Sequence, residues 1–498
     1  MKRWLIMGLW LPLLGWGQAP PSEVAAIYAR LADYLALPTE GRPVLRAPLP
    51  VDTRGAFYDP MANAITLDQP LLDRLRARLS PTGYRAAVAL LLGHELGHYW
   101  QQADCQAAQL IGLPGQMPTN DPRWRTELEA DYYGSFAVHL AELDDPAGME
   151  TALALLLRDP SGRYPPRALR DSVVVQARTR VAALLDTYRL GLCLSLVEAH
   201  AEAKACFAAM NREFGSRKVL TLLALSEMHL AMAASEQHRF RYGYPFERDP
   251  LSRLERGVRV PLDRDPATVR RYLTQAEGHL RAALQLDPTY AAAQRNLLCL
   301  YLMQRRLAEA RQLWAQVLPP PGPETDLLRG LLAALQGDTA TARKHWEGWA
   351  KRNPPHPLSA LAAQNLRVLR GQIPERRDRV PRRSVLVHPA PGWQQARREA
   401  EPFLTPLGGQ PTLRRLTGAA GTWLCWGDSL GVFFPASPKA LPGLSLGSDW
   451  QTVERVLGPA DQVGGLTQGA YAVFWDHGLL LWLDAQQRLQ RWTYWAMR

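Results

Sequence analysis

The chain has 498 residues, which is too long for one ordinary hydrophobic core and predicts two to four domains. Hydrophobic residues make up 47% and charged residues 21%, a composition typical of globular proteins. The net charge of +11 comes mostly from arginines that are scattered and mixed with acidic residues, so the charge disfavours a nucleic-acid partner. Five cysteines at wide spacing exclude a disulfide framework and predict buried free thiols, with a Cys193–Cys206 pair across a helical hairpin as the alternative.

The first residues have the layout of a secretory signal peptide. Two basic residues at positions 2–3 precede an apolar run from Trp4 to Trp16, and small residues follow this run. Pro12 interrupts the run, which is shorter than the roughly 20 residues that a bilayer-spanning helix needs. We therefore expect cleavage after Gly17 and a periplasmic or secreted protein, with an uncleaved membrane anchor as the alternative.

A helix and a hairpin are the next predicted elements. Residues 22–37 have helical periodicity behind Ser22, which is a suitable N-cap. Two strand-like stretches, 55–59 and 64–68, flank a turn that contains proline and asparagine. This pattern predicts a β-hairpin or a bent edge strand.

The following helix is apolar and carries the sequence LLLGHELGHYW at 90–100. It is predicted to begin near Ser80-Pro81, where serine can cap and proline can occupy the first turn, and to end near Ala103. Leucines around the motif predict burial, and Gly93 and Gly97 would let another element approach closely. Two solvated surface histidines, the alternative interpretation of the motif, would not need that burial.

Two histidines in this helix have the spacing of metal ligands. His94 and His98 are four residues apart, so they lie on one helical face and can offer imidazole nitrogens to a single ion. Glu95 follows the first histidine in sequence, and its side chain is expected to lie beside the ion without binding it. There it can take a proton from a zinc-activated water molecule and pass it to a leaving amine.

Acidic candidates for a third ligand lie in the helix predicted at about 124–143. A catalytic zinc needs three protein ligands and one open position. Glu127 and Asp131 share one helical face, whereas Glu129 lies on another face and is expected to be solvated or ion-paired. The spacing favours Glu127 as the ligand and Asp131 as an acceptor that orients a histidine ring, with Asp131 as the alternative ligand.

HELGH followed about thirty residues later by Glu-x-x-Ala-Asp resembles the gluzincin zinc peptidases of the CAAX-prenyl-endopeptidase and heat-shock-membrane-protease type. The resemblance covers roughly residues 40–160 and implies a zincin-like α+β fold. The implied zinc ligands are His94, His98 and Glu127, with Glu95 as the catalytic residue and Asp131 as the family's conserved aspartate. The hairpin lies where such enzymes keep a substrate-lining edge strand, for which the candidates are Ala64, Ile65 and Thr66.

The sequence departs from this family at several points. The gap between His98 and Glu127 is short and contains a proline-rich loop, and the transmembrane helices of the prenyl-protease branch are absent. His139, Tyr132 and Tyr133 are candidates for stabilising an oxyanion, but the sequence does not distinguish among them.

A helical repeat is predicted from about residue 180. The intervals from Ala276 to Ala310 and from Leu280 to Trp314 are both 34 residues, which is the tetratricopeptide (TPR) period. The stretch 286–314 resembles a TPR unit, and the second copy carries an insertion at about 236–270. Stacked helix pairs would offer a surface to polypeptides or partner proteins, whereas an ordinary helical bundle is the alternative.

The C-terminal region is predicted to mix strands with short helices. A capped helix is expected at 447–459, and its helix-then-hairpin order resembles small periplasmic α+β modules of the outer-membrane-lipoprotein kind. Trp393-Gln394 and Trp450-Gln451 are candidates for the starts of two copies of one unit, and the region's tryptophans are expected in the core. The predicted strands are 423–434, 470–484 and 488–497.

Together these features predict a multidomain, mainly α protein. The expected parts are a signal peptide (1–17), a zincin-like α+β peptidase domain (18–170), a TPR-like α-superhelix (171–370), a basic linker (371–384) and a small C-terminal α+β domain (385–498).

The expected function is an extracytoplasmic zinc-dependent metalloendopeptidase with one Zn²⁺ per chain, acting on polypeptides in envelope protein quality control. The resemblance to periplasmic relatives that carry a TPR tail supports this role. A non-catalytic TPR-based chaperone or scaffold with a structural or dormant zinc site is the main alternative. An arginine-dependent binder of nucleic acid or an envelope polymer is a weaker one.

Overall fold

The structure is a computed structural model, in which the chain forms two compact units. The first contains residues 1–109 and 113–181, and the second contains residues 110–112 and 182–498. The described residues are 21–34, 41–46, 48–49, 55–102, 121–156, 165–213, 216–235, 242–248, 252–253, 266–316, 323–352, 359–372, 392–404, 412–427, 430–436, 441, 443–458, 460, 462–466, 469–474, 477–484 and 486–497. Among these residues, no helix combines the length and apolar character that crossing a bilayer requires.

Helices form most of the described chain. They are α1 (Ser22–Tyr34), α2 (Gln69–Arg78), α3 (Pro81–Gln102), α4 (Pro122–Leu140), α5 (Pro146–Leu156), α6 (Arg167–Leu196), α7 (His200–Glu213), α8 (Arg217–Ala234), α9 (Pro266–Leu286), α10 (Ala291–Met303), α11 (Leu307–Gln316), α12 (Pro323–Leu335), α13 (Thr339–Arg352), α14 (Ser359–Leu369), α15 (Trp393–Glu399) and α16 (Trp450–Leu457).

The strands form two sheets. They are β1 (Val44–Leu45), β2 (Ala56–Asp59), β3 (Ala64–Leu67), β4 (Glu247–Arg248), β5 (Ser252–Arg253), β6 (Glu401–Leu404), β7 (Leu413–Gly418), β8 (Gly421–Trp426), β9 (Leu430–Pro435), β10 (Gln462–Leu466), β11 (Gly469–Phe474), β12 (Leu479–Asp484) and β13 (Leu489–Met497). The chain is therefore multidomain and mainly helical, with a separate β-sheet region. The boundary between the two units falls inside α6, and the five predicted domain ranges stay predictions.

Helix α3 lies at the centre of the first unit and packs against α1, α2, α4, α5 and β2. It begins as the sequence predicts, because the Ser80 Oγ accepts a hydrogen bond from the Gly83 N–H at 3.1 Å. Nearly every residue from Tyr84 to Gly97 is buried, since almost all of them are apolar or small. The helix therefore carries its histidines into the interior of the unit.

The predicted hairpin forms, but its second strand is not at an edge of the sheet. Strands β2 and β3 pair antiparallel, and β1 pairs parallel with β3 on the other side, so the order is β1-β3-β2. The edge-strand prediction for 64–67 is wrong, because residues 44–49 supply a further strand and backbone hydrogen bonds to β3. Among the described residues, β2 is the edge strand next to α3.

In the second unit, helices α7 to α14 pack mainly against their neighbours in sequence, while α10 also contacts α8 and α12. The small residues predicted at helix contacts, Ala276, Ala310 and Ala342, are completely buried. Trp346 is equally buried, and a Cβ at Gly330 would lie 2.3 Å from its indole nitrogen. Close helix contacts thus occur where the repeat pattern predicts them.

The C-terminal region contains two copies of one arrangement. Trp393 begins α15, which precedes four antiparallel strands, β6 to β9, and Trp450 begins α16, which precedes β10 to β13. The last strands of the two copies, β9 and β13, pair antiparallel and join both halves in one sheet. Asp449 caps α16 through the Thr452 N–H at 2.7 Å, as the predicted capped helix requires.

Several predictions on side-chain environment are confirmed. Four cysteines are buried thiols, namely Cys193, Cys206, Cys299 and Cys425. The C-terminal tryptophans Trp423, Trp426, Trp482, Trp492 and Trp495 are buried. The predicted signal peptide, Cys105, Trp475 and residues 373–384 of the predicted linker lie outside the described residues.

Candidate metal centre

Helices α3 and α4 cross with their backbones in close contact. A Cβ at Gly93 would lie 2.9 Å from the Gly134 Cα, and one at Gly97 would lie 2.8 Å from the Ala130 Cα. Glycine is therefore needed at both positions of α3, since real side chains almost never make contacts this short. Glu127 is seven residues before Gly134, so it lies on the same face of α4 and is carried towards α3.

The crossing brings three candidate ligands together. The Nε2 atoms of His94 and His98 are 3.1 Å apart. The Glu127 carboxylate places Oε2 at 3.4 Å from the His94 Nε2 and Oε1 at 3.8 Å from the His98 Nε2. Within the described part of the chain, this is the single group of three or more such side chains whose ligand atoms converge.

Both imidazole rings are fixed from the outside by their other nitrogen. The His94 Nδ1 lies 3.0 Å from an oxygen of Asp131, and the His98 Nδ1 lies 2.9 Å from the Gln101 Oε1. Gln101 in turn donates to the Thr126 carbonyl oxygen at 2.7 Å, which ties this ring to α4. With Nδ1 protonated, each ring directs the lone pair of Nε2 at the centre of the cluster.

Asp131 is held by an arginine from a third helix. The guanidinium of Arg170, on α6, donates to both carboxylate oxygens of Asp131, and both side chains are buried. Burial would raise the pKa of Asp131, but the hydrogen bonds from His94 and Arg170 outweigh burial and lower it. Asp131 is therefore a fixed carboxylate that orients the His94 ring, and it is not one of the three converging groups.

The protein groups alone create a potential that favours a cation. Burial lowers the pKa of His94, but the carboxylates of Asp131 and Glu127 outweigh burial and raise it to about 10. Burial raises the pKa of Glu127, but His94 and His98 outweigh burial and lower it. The cluster thus stabilises positive charge among its carboxylates, whether a proton or a metal ion supplies it.

The donor set fits zinc. Two imidazole nitrogens and one carboxylate oxygen are a usual combination for a catalytic zinc, and tetrahedral bonds of about 2.0 Å place ligand atoms about 3.3 Å apart. The 3.1 Å between the two Nε2 atoms is close to this value, and the two Glu127 oxygens lie 3.4 Å from the His94 Nε2 and 3.8 Å from the His98 Nε2, respectively. The Glu127 Oε2 is buried and lies 3.4 Å from the His94 Nε2, a separation at which one cation can bind both atoms. The side chains of His98 and Glu127 remain 21% exposed, so solvent reaches the cluster from this side.

Glu95 lies next to the cluster and faces the sheet. Burial raises the pKa of its carboxyl group, and the nearby His94 and His98 partly oppose that effect. The carboxylate also accepts a hydrogen bond from the backbone of Tyr58 in β2. Glu95 is thus positioned by the edge strand, beside the histidines and outside the group of converging ligand atoms.

The free edge of β2 faces towards this glutamate. Asp68 donates its N–H to the Gly55 carbonyl oxygen at 2.8 Å, so these residues form a hydrogen-bonded pair of the antiparallel ladder. Alternation along the ladder then points the backbone groups of Ala56 and Tyr58 away from β3. Backbone groups available for an added strand therefore belong to β2.

The residues predicted to line substrate do not fit that role. Ala64, Ile65 and Thr66 are 1%, 0% and 2% exposed, and β3 is paired on both sides. The substrate-binding prediction at these three residues is wrong, because the parallel strand β1 covers the edge that the sequence left open.

The oxyanion candidates lie in packed surroundings. Tyr132 packs against Phe136, and Tyr133 packs against Trp100. His139 is buried near the end of α4, with its Nδ1 3.2 Å from Asp144, and burial lowers its pKa. These contacts assign none of the three to the cluster. Glu129 pairs with Arg125 at 2.8 Å, as predicted for a residue on the other face.

Two residues of the centre were not predicted from the sequence. Gln101 is three residues after His98, so helical spacing alone could have identified it as a partner of that ring. Arg170 is 39 residues from Asp131, on a helix with no local signal that links it to the motif.

The chain matches no known protein-family model, and no curated protein is significantly similar to it. An assignment of function therefore depends on the residues and their geometry.

Proposed function

We propose that the chain is a zinc-dependent metalloendopeptidase that hydrolyses polypeptides outside the cytoplasm. The observation that carries the proposal is the convergence of His94, His98 and Glu127 within 4.8 Å of one another, beside the buried Glu95. The H-E-x-x-H spacing and the resemblance to gluzincin peptidases support the same chemistry.

The residues divide the work of hydrolysis among them. His94, His98 and Glu127 would hold the ion, and Asp131 and Gln101 fix the two rings. When bound, zinc supplies Lewis acidity that lowers the pKa of a water molecule and polarises the substrate carbonyl.

Glu95 carries the proton in this proposal. Its raised pKa suits a general base that accepts a proton from the attacking water and then donates it to the leaving amine. The hydrogen bond from the Tyr58 backbone keeps the carboxylate at the sheet edge, where a peptide would lie.

Substrate binding is assigned to the edge of β2. Ala56 and Tyr58 direct backbone groups away from the sheet, so an extended peptide could add there as a further strand. This assignment replaces β3 with β2 as the strand to which the peptide would add.

The helices from α7 onwards are proposed to be a TPR-like array that binds polypeptide, and the C-terminal region a pair of small α+β modules. Together with the predicted signal peptide, they suit a protease of envelope protein quality control. The polypeptide partner would bind the repeats before cleavage occurs.

Replacement of Glu95 by Gln tests the hydrolase directly. Purified full-length protein loaded with zinc is incubated with fluorescently labelled, reduced casein, and the cleavage rate and zinc content are measured. We expect Glu95→Gln to slow cleavage by about 10²- to 10⁴-fold while one zinc per chain is retained. The matched control Glu129→Gln changes a partly buried glutamate that pairs with Arg125, two residues from a ligand, and should keep both properties.

The scaffold alternative predicts a different result. A zinc-loaded wild type that does not cleave casein, or a Glu95→Gln variant that cleaves as fast as wild type, overturns the hydrolase proposal. Equal suppression of casein aggregation by both proteins, without cleavage, would favour the chaperone.

A further inference from the structure

A short segment of the chain, Tyr242–Phe246, is buried among the helices of the repeats. It lies between α8 and α9 in sequence, within the predicted insertion. Residues 243–246 are buried, and Tyr244 and Phe246 are 2% and 0% exposed. This segment, which we call the YGYPF segment, forms neither a helix nor a strand.

A single buried asparagine clamps the backbone of this segment. The Gly243 N–H donates to the Asn365 Oδ1 at 2.8 Å, and the Asn365 Nδ2 donates to the Gly243 carbonyl oxygen at 3.1 Å. Asn365 lies on α14 and has no exposed surface. A carboxamide that bonds both backbone groups of one residue holds the main chain directly, without using that residue's side chain.

The clamp leaves no room for a side chain on the clamped residue. A Cβ at Gly243 would lie 2.1 Å from the Leu361 Cδ1, and Leu361 is itself buried. Any other residue would have to displace this leucine or withdraw the backbone from Asn365. The site therefore favours glycine at the clamped position, because the buried Leu361 side chain has to move for any other residue.

Aromatic side chains on both sides of the glycine contact different helices. The Tyr242 ring lies 5.8 Å from that of Trp346 on α13, and the Phe246 ring lies 5.3 Å from that of His229 on α8. Buried aromatic rings contribute a large share of the free energy of peptide recognition. Four side chains, His229, Trp346, Leu361 and Asn365, define what we call the repeat site.

The segment leads into β4, and its clamp and ring contacts to the helices are with residues distant in sequence. The clamp joins residues 122 positions apart, and the one described hydrogen bond within the segment runs from the Phe246 N–H to the Tyr244 carbonyl oxygen. We propose that the repeat site binds an aromatic-Gly-aromatic-Pro-aromatic peptide that turns at its proline, and that the YGYPF segment occupies it as an intramolecular ligand. An equivalent segment of a partner polypeptide would exchange with it.

Tethering makes the internal ligand a strong competitor. A segment linked to its own site by a short chain acts at an effective concentration on the order of mM. A partner peptide should therefore bind the intact chain weakly and bind a chain with a displaced segment much more tightly. The inference rests on the proposed polypeptide-binding role of the repeats, but it does not depend on hydrolysis.

The test uses a labelled peptide of residues 238–250, HRFRYGYPFERDP, and full-length protein carrying Glu95→Gln so that no peptide is cleaved. Fluorescence anisotropy measures binding. We expect Gly243→Ala in the protein to displace the internal segment and to tighten peptide binding at least 10-fold. Adding Asn365→Ala should abolish this gain. The control Gly278→Ala, on α9 with no atom within 4 Å of its Cβ, should leave peptide affinity unchanged.

Two results overturn the proposal. One is a folded Gly243→Ala protein that binds the peptide no better than its parent, and the other is a gain that persists without Asn365. If Gly243→Ala does not fold, hydrogen exchange of the Gly243 amide in the parent protein decides. Excess unlabelled peptide should accelerate that exchange, and a peptide with alanine in place of its glycine should not; no acceleration refutes the inference. Loss of casein cleavage with intact peptide binding would refute only the hydrolase.

Discussion

Two buried polar regions of the molecule differ in whether their polar atoms are fully hydrogen-bonded by other groups of the chain. At the metal centre, the buried Glu127 Oε2 lies 3.4 Å from the His94 Nε2, and both imidazole Nε2 atoms point at the same space. At the repeat site, both backbone groups of Gly243 are bonded to Asn365. In the first region, the ligand atoms of three side chains converge on one point. In the second region, the hydrogen-bonding backbone groups of the clamped residue are bonded by the protein's own Asn365.

The difference indicates what each region requires. The carboxylates that raise the pKa of the buried His94 favour positive charge at the centre, which a proton supplies in the metal-free protein and a divalent cation could supply in its place. A clamp that is fully bonded requires no further ligand for stability, so a partner there must compete with the chain. The first region should respond to added metal, whereas the second should lose stability when its own contacts are removed.

The largest expected effect is on the support of the metal centre. Replacement of Arg170 by Met leaves the Asp131 carboxylate buried without its guanidinium, which should lower the free energy of unfolding by about 3–5 kcal/mol. The His94 ring also loses its fixed acceptor, so zinc affinity should fall by about 10- to 100-fold. Urea denaturation without metal and a competitive zinc titration measure the two effects.

Arg167→Met provides the control for this prediction, because Arg167 lies on the same helix and pairs with exposed partners. It should change neither quantity appreciably. If Arg170→Met unfolds at the same urea concentration as wild type, the Asp131–Arg170 pair does not support the centre.

Glu127→Ala removes the proposed carboxylate ligand and keeps the residues that surround the metal centre. We expect zinc affinity to fall by about 100-fold or more, since a direct ligand should matter at least as much as an outer partner. Zinc at 1,000 times the dissociation constant should stabilise the wild type by about 4 kcal/mol, and the variant should lose most of that increment. Thermal melts with and without zinc measure it. An unchanged zinc response in Glu127→Ala, compared with Glu129→Ala, would exclude Glu127 as a ligand.

The approach of the three ligand residues could be predicted because it depends on local periodicity. Spacing of four places His94 and His98 on one face, and glycines at 93 and 97 indicate where α4 can cross. Arg170 could not be predicted, because its position depends on how α6 packs, which no nearby residue specifies. The two-residue strand β1 was missed for a similar reason, since a parallel pairing with β3 leaves no pattern in so short a stretch.

The repeat site shows the same limit more strongly. The repeat period predicted buried small residues in successive helices, and the insertion at 236–270 was recognised as an interruption. The destination of the YGYPF segment was not predicted, because its partners lie on α8, α13 and α14, up to 122 residues away. Its three aromatic residues and its glycine predict burial, but they do not indicate which helices the segment contacts.

Asn365→Ala should have the smallest effect of these changes, and it completes the contrast between the two regions. Removal of the carboxamide leaves the Gly243 N–H and carbonyl group buried and unbonded, which should lower the free energy of unfolding by about 1–3 kcal/mol. Zinc should not restore this loss, because the repeat site contributes no ligand to the centre. Urea denaturation with and without zinc measures both points, and Arg367→Ala, an exposed change on the same helix, is the control. If Asn365→Ala is as stable as Arg367→Ala, or if zinc rescues it, the repeat site is not closed by its own contacts as described.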